Sequence, residues 1–252
     1  MPETIFTGPL QYLVTSLVLV VAQVIYVLFG FGSGLTAVGS LALLFPEIKD
    51  VVVLLLLVNL PAEMLVAWSA RHALHWRSLL GIASGVVVGI PLGARLLTRG
   101  DPGIVLTGLG WFLVAVGLVF LRLPRGGRLQ PPAWAAPPTG LVSGVLTGLF
   151  GTGGPPVIIW YHLSAADKTV FRGHLMTIFL LMTLVRVPAY VANGLVTAPR
   201  LWSGLAVLPA TLLGAWLGHR LHVRISERLF QVLVCVLLVL LGAMLLLKPH
   251  PR

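Results

Sequence analysis

The segment Leu149-Phe150-Gly151-Thr152-Gly153-Gly154-Pro155-Pro156 interrupts an apolar run that extends from about residue 138 to residue 163. Adjacent glycines and prolines do not propagate an α-helix, so this run reads as a broken helix or a re-entrant hairpin. A second stretch, Leu28-Phe29-Gly30-Phe31-Gly32-Ser33-Gly34, divides the run from 10 to 46, which is too long for one membrane helix and barely long enough for two. The two stretches align, Leu28 to Gly32 on Leu149 to Gly153, at a shift of 121 positions (151 − 30). Two more matches follow in the same order. Leu57-Val58-Asn59-Leu60-Pro61-Ala62 aligns with Leu184-Val185-Arg186-Val187-Pro188-Ala189 at a shift of 127 (188 − 61). Gly81, Gly85, Gly89 and Gly93 align with Ala206, Ala210, Gly214 and Gly218 at a shift of 125 (218 − 93). Three near-equal shifts indicate two homologous halves.

Composition names the solvent. Of 252 residues, 58% are hydrophobic and 10% charged, and the mean hydropathy is +1.00. Soluble domains carry about 25% charged residues. So few charges exclude an ordinary water-soluble enzyme, a disordered chain and a disulfide scaffold; the lone Cys235 lies in the last apolar run. The net charge of +10 is spread singly or in pairs between apolar runs, which excludes a nucleic-acid interface and points to the lipid bilayer as the partner. Residues 1 to 48 contain no Lys or Arg, so the basic n-region of a cleavable signal peptide is missing and the first run is expected to stay in the mature protein.

Other apolar runs fall at roughly 51 to 70, 78 to 97, 103 to 121, 174 to 193, 202 to 218 and 229 to 247. Each is close to the ~20 residues that cross the hydrocarbon core as a helix. The Pro-, Gly- and Arg-rich segment 123–137 reads as a linker between a first membrane repeat, 1–122, and a second, 138–252. If all eight runs cross, the basic residues outside the spans divide 8 to 8 between the two sides. If the first and fifth runs are hairpins, they divide 10 to 6, with Arg71, Arg77, the linker, Lys168, Arg172 and the 220–228 arginines on the cytoplasmic side. The expected fold is therefore an all-α polytopic membrane protein of two halves, each with a glycine-broken helix and three crossings. An odd number of crossings inverts the second half relative to the first.

Arg186 is the basic residue deep inside an apolar span. Unpaired at the bilayer centre it would cost about 2.5 to 3.5 kcal/mol even on the mildest scale, so it needs a polar cavity and a partner. An anion suits its planar fork; Glu63, or carbonyls freed by a proline kink, are the structural alternatives. Pro61 and Pro188 occupy matching kink positions, and Asn59 stands where Arg186 stands in the other half. Glu63, an acidic residue within a span, has two readings, proton carriage coupled to substrate movement or an ion pair. The glycine breaks supply a candidate anion nest from Gly32, Ser33 and Gly34 and from Thr152, Gly153 and Gly154, with the dipole of a following half-helix and tight turns without a ligand as the alternative. The glycine face from Gly81 to Gly93, and a similar one at Gly140, Gly144 and Gly148, suits close packing within the chain or in a homodimer, or a sliding contact.

Enzyme motifs do not fit. Ser33 lacks the G-x-S-G context of an intramembrane serine protease, and His72/His75 and His219/His222 have H-x-x-H spacing without Cys or carboxylate companions. No ATP-binding loop occurs, and neither metal nor other cofactor is expected. Trp160, Tyr161 and His162 read as an interfacial aromatic anchor.

The stretch L-F-G-T-G-G-P-P at 149–156, the loop R-H-A-L-H-W-R at 71–77 before a glycine-rich span, and the endings at Arg95 and Arg220 together resemble the sulfite exporter TauE/SafE family over nearly the whole chain. That resemblance implies a bacterial inner-membrane secondary transporter of a small inorganic or organic sulfur anion, such as sulfite, sulfoacetate or another organosulfonate, or thiosulfate, usually in the direction of export. Ser33 departs from the usual third glycine of the first break, and Thr36 to Val38 replace the proline that typically follows. A passive anion channel, and a membrane-embedded accessory protein or enzyme, are the rival classes.

Overall fold

The computed structural model describes residues 3–29, 32–70, 76–122, 131–164, 168–220 and 227–248, except for the side chains at 28–29, 61–70, 76–78, 164, 168–172, 227–228 and 230–231. Gly30, Phe31, His72, His75, His222 and the side chains of Pro61 and Glu63 therefore lie outside the described residues.

The described residues form ten α-helices: α1 Pro9–Phe29, α2 Ser33–Leu44, α3 Ile48–Ala70, α4 Trp76–Arg99, α5 Pro102–Arg122, α6 Ala136–Phe150, α7 Gly154–Ser164, α8 Lys168–Ala192, α9 Ala198–Arg220 and α10 Glu227–Leu247. Five of them contain stretches long and apolar enough to cross a membrane, in α1, α4, α5, α8 and α9. Rows of exposed apolar side chains, Leu10, Leu13, Leu17 and Val21 on α1 or Leu201, Leu205, Leu212 and Trp216 on α9, lie where a bilayer would cover them.

The two broken runs divide differently. The first yields α1, 21 residues and long enough to cross alone, followed by the 12-residue α2. The second yields α6 and α7, of 15 and 11 residues, about 22 and 17 Å long and each short of a 30 Å hydrocarbon core. The helix after the linker begins at Ala136, so Pro137, read as the last linker residue, lies with Pro138 in the first turn of α6. Proline is tolerated there because the first-turn N–H groups have no partner within the helix.

The chain forms two compact units, and neither is a contiguous segment. One comprises Met1–Val58, Gly100–Leu123 and Thr197–Arg252; the other comprises Asn59–Arg99 and Pro124–Val196.

In the first unit α1 lies along α9, α2 packs on α1 and α10, and α5 lies along α10. A Cβ on Gly242 would stand 2.6 Å from the Gly110 carbonyl oxygen, and one on Gly117 2.8 Å from that of Cys235. As one number rises the other falls, so α5 and α10 are antiparallel. Arg200 closes one end of the unit, Nε donating to Asp50 at 2.7 Å and Nη2 pairing with Glu47 at 3.4 Å.

In the second unit α4 lies along α6, α7 packs on α6, and α8 packs on α4 and α7. The two glycine faces read from the sequence meet each other. A Cβ on Gly93 would come within 3.0 Å of the Gly148 Cα, and one on Gly89 within 3.0 Å of the Gly144 Cα. Backbone lies on backbone, the arrangement that maximises van der Waals contact where lipid supplies no hydrophobic drive between helices.

The pairings α4 with α6 and α9 with α1 share a register. Gly89 abuts the Leu141 carbonyl, and Gly214, 125 positions on, abuts the Val20 carbonyl, 121 positions before Leu141. Those are the shifts of the sequence repeat, now expressed as packing.

Candidate functional site

The second break lies within one unit and can be built residue by residue. Helix α6 ends at Phe150, and Gly151 takes the left-handed conformation, φ 72°, while its N–H bonds the Thr147 carbonyl at 2.9 Å. This is a glycine C-cap, and only a residue without Cβ takes that φ without cost. The chain then turns back, because Gly153 lies against Ser143 and Thr147, one to two turns down α6. The Ser143 hydroxyl donates to the Gly153 carbonyl, and a Cβ on Gly153 would stand 2.8 Å from the Thr147 amide nitrogen. Helix α7 starts at Gly154, with Pro155 and Pro156 in its first turn.

Helix α8 brings Arg186 to this turn. The residue is 3% exposed, and Nη1 donates to the Gly151 carbonyl at 2.8 Å. A cation at a helix C-terminus is stabilised by the carbonyl end of the dipole, by about 0.3 to 2 kcal/mol. The structural alternative, carbonyl partners, is thus met in part, by the cap of the break and not by a proline kink. Nε remains buried with no hydrogen-bond partner. An unmatched donor of a buried charge costs more than about 1 to 3 kcal/mol unless something accepts from it.

Tyr190, one turn on, fixes the guanidinium from below. Arg186 Cζ sits 5.6 Å from the ring centroid, and the phenol donates to the Gly148 carbonyl at 3.0 Å. Thr147 donates to the Ser143 carbonyl at 2.8 Å and to Met182 Sδ at 3.4 Å. His174, Ile178, Met182, Arg186 and Tyr190 recur every four residues along α8 and all are buried. That ridge is visible in the sequence, yet Tyr190, Ser143 and Thr147 were not singled out, because an apolar span usually buries such residues as ordinary packing.

Thr152, 9% exposed, Gly153 and Gly154 follow Gly151, whose carbonyl Arg186 bonds, and Pro188 lies in α8 two positions after Arg186. Gly32, Ser33 and Gly34 belong to the other unit. Gly32 is the N-cap of α2 at φ 93°, and Ser33 and Gly34 form the first turn of that helix. Asn59 is half-buried in α3. Tyr161, placed by its sequence context in an interfacial anchor, is instead 2% exposed, with its ring 5.0 Å from that of His174.

Comparison with known proteins agrees with this architecture. The family described as sulfite exporter TauE/SafE matches residues 15–245. The chain is similar to the probable inner membrane transporter protein TsaS of Comamonas testosteroni, with 25% identity covering 75% of this chain and 80% of that one. It is also similar to the probable sulfite/organosulfonate exporter TauE of Cupriavidus necator, with 22% identity covering 86% of this chain and 87% of the relative. No solved structure matches the chain. With the family match spanning almost all of its length and helices built to cross a bilayer, the chain is a multi-pass membrane protein that belongs to the sulfite exporter TauE/SafE family.

Proposed function

We propose that this protein is a secondary transporter that moves a small sulfur-containing oxyanion across the bacterial inner membrane by alternating access, in the direction of export. The observation that carries the reading is Arg186, a buried cation with one donor on the Gly151 carbonyl and Nε unmatched, at a turn where α6 ends and α7 begins. A structural cation would have its donors filled; a substrate-binding one keeps a donor in reserve. The names of the two relatives, one an inner membrane transporter and the other an exporter of sulfite or organosulfonates, support the membrane and the substrate class.

The inverted arrangement of residues 1–122 and 138–252 is part of the proposal. The contact pairs Gly110–Gly242 and Gly117–Cys235 exchange under a shift of 125, since 110 maps to 235 and 117 to 242. Equivalent helices that contact antiparallel in this reciprocal way fit a two-fold axis across the helix direction, as in transporters with inverted repeats. In this reading Thr152, Gly153 and Gly154 orient the anion and Asn59 supplies a neutral donor, while Gly32, Ser33 and Gly34 form the matching nest at the first break. Pro61 and Pro188 serve as kinks, and Glu63 carries the coupling proton.

The test is flux of labelled sulfite, thiosulfate and sulfoacetate into proteoliposomes, with and without a pH gradient, for the native protein and Arg186→Ala. Saturable flux of one anion that responds to the gradient and is lost in the variant is the expected outcome. Flux that neither saturates nor responds to the gradient would make the protein a channel, and flux indifferent to Arg186 would remove the site.

A further inference from the structure

We propose, on the reading that Arg186 holds the transported anion, that this site selects a monovalent oxyanion and binds it by two oxygens on the Nε–Nη2 edge of the guanidinium. In the guanidinium plane Nη1 faces away from the Nε–H, and Nη1 is the nitrogen already committed to the Gly151 carbonyl. The edge left over carries the buried, unmatched Nε, and its two parallel N–H bonds fit the paired oxygens of a sulfonate, a hydrogensulfite or a carboxylate.

Three features set the charge. First, Arg186 is the one buried Lys, Arg, Asp or Glu among the described residues, and so the one permanent charge buried among them. Second, that charge already faces the negative end of α6, where the Gly148 and Gly151 carbonyls accept from Tyr190 and Arg186. A second negative charge on the ligand would meet this carbonyl end in a low-dielectric setting, with no second buried Lys or Arg among the described residues to balance it. Third, α7 offers few donors. A helix start presents four free N–H groups, but Pro155 and Pro156 remove two of them and leave those of Gly153 and Gly154. Such a site has too little positive potential for a divalent tetrahedral anion and enough for a monovalent one.

One consequence concerns coupling. Sulfite takes up a proton near neutrality to become hydrogensulfite, so a site that admits only the monoanion carries the proton with its substrate. Transport would then respond to pH through the protonation of the substrate itself, besides any proton carried by Glu63.

The experiment is equilibrium binding of labelled methanesulfonate to the purified full-length protein in phospholipid-free detergent, with sulfate and sulfite as competitors at pH values on either side of the hydrogensulfite dissociation. Methanesulfonate and sulfate are close in size and differ by one charge. Sulfate should compete at least about tenfold more weakly, and sulfite should gain potency as pH falls while methanesulfonate affinity stays level. Arg186→Lys, which keeps the charge and loses the fork, should weaken methanesulfonate about tenfold.

Equal or stronger competition by sulfate, or sulfite gaining potency as pH rises, would overturn the proposal on the native protein alone, whatever the variant does. A headgroup phosphodiester presents the same monovalent pair of oxygens, so displacement of methanesulfonate by added phosphatidylglycerol would make lipid the occupant and overturn it too. Binding of none of the anions would instead overturn the assignment of Arg186 as an anion site.

Discussion

The two glycine breaks descend from matching sequence and are finished differently. At the first, Gly32 caps α2 in the left-handed region, and its carbonyl accepts from the Thr36 amide and the Thr36 hydroxyl, both at 3.0 Å. The hypothetical Cβ of Gly32 finds only apolar neighbours, Ile25 and Val234, at 3.8 Å. At the second, the cap carbonyl of Gly151 accepts from a buried guanidinium on another helix, and Gly153 is pressed onto the backbone of α6. Among the described residues, the cap carbonyl of the first break is satisfied within α2, whereas that of the second takes a charge from α8. Two turns of matching sequence can thus be completed differently, according to what the neighbouring helix brings.

That contrast can be broken first at the charge. Arg186→Ala should lower anion flux about a hundredfold, the worth of a charge-assisted pair of about 3 kcal/mol, whereas Asn59→Ala, its counterpart in the repeat, should cost a few-fold at most. Comparable losses in proteoliposome flux would mean that the two halves share the substrate evenly.

Sterics come next. Gly153→Ala should destabilise the protein by about 2 to 3 kcal/mol, because its methyl group would collide with the Ser143 carbonyl and the Thr147 amide. Gly32→Ala has room around it and pays only for its positive φ, about 1 to 2 kcal/mol. Thermal unfolding in detergent ranks the two, and the reverse order would show that close approach is not what distinguishes the breaks.

Tyr190→Phe sharpens the picture further. It keeps the ring beneath Arg186 and removes the bond to Gly148, so stability should fall by about 1 kcal/mol and KM for the anion should rise several-fold. A purely structural Tyr190 would lower stability with KM unchanged. The smallest effect belongs to the first break: Thr36→Val should cost about 0.5 to 1 kcal/mol and leave flux at the native level. A loss of flux there would give the first break a part in binding after all.

Much of the fold could be read before any coordinates. The apolar runs became helices within a few residues of their expected ends, and both breaks fell where Gly30 to Gly34 and Gly151 to Pro156 predicted them. The site was legible only in outline. Arg186 stood out because a charge in an apolar span is costly wherever it sits, but its partner is a carbonyl 35 positions away on another helix, and no local pattern announces that. Tyr190, Ser143 and Thr147 escaped notice because hydroxyls in a membrane helix bond their own backbone as readily as anything else, as Thr177 and Ser203 do here.

By itself the sequence determined the solvent, the helices and the breaks, since span length and helix-breaking residues are local properties of the chain. Tertiary structure alone decided which helices are partners: that the glycine face of α4 meets that of α6, that α9 takes α1 in the same register, and that compact units cut across the sequence order. The physical reason lies in the membrane. Apolar side chains face lipid and protein alike, so hydrophobic pattern does not encode pairing, which shape and a few buried polar contacts must settle.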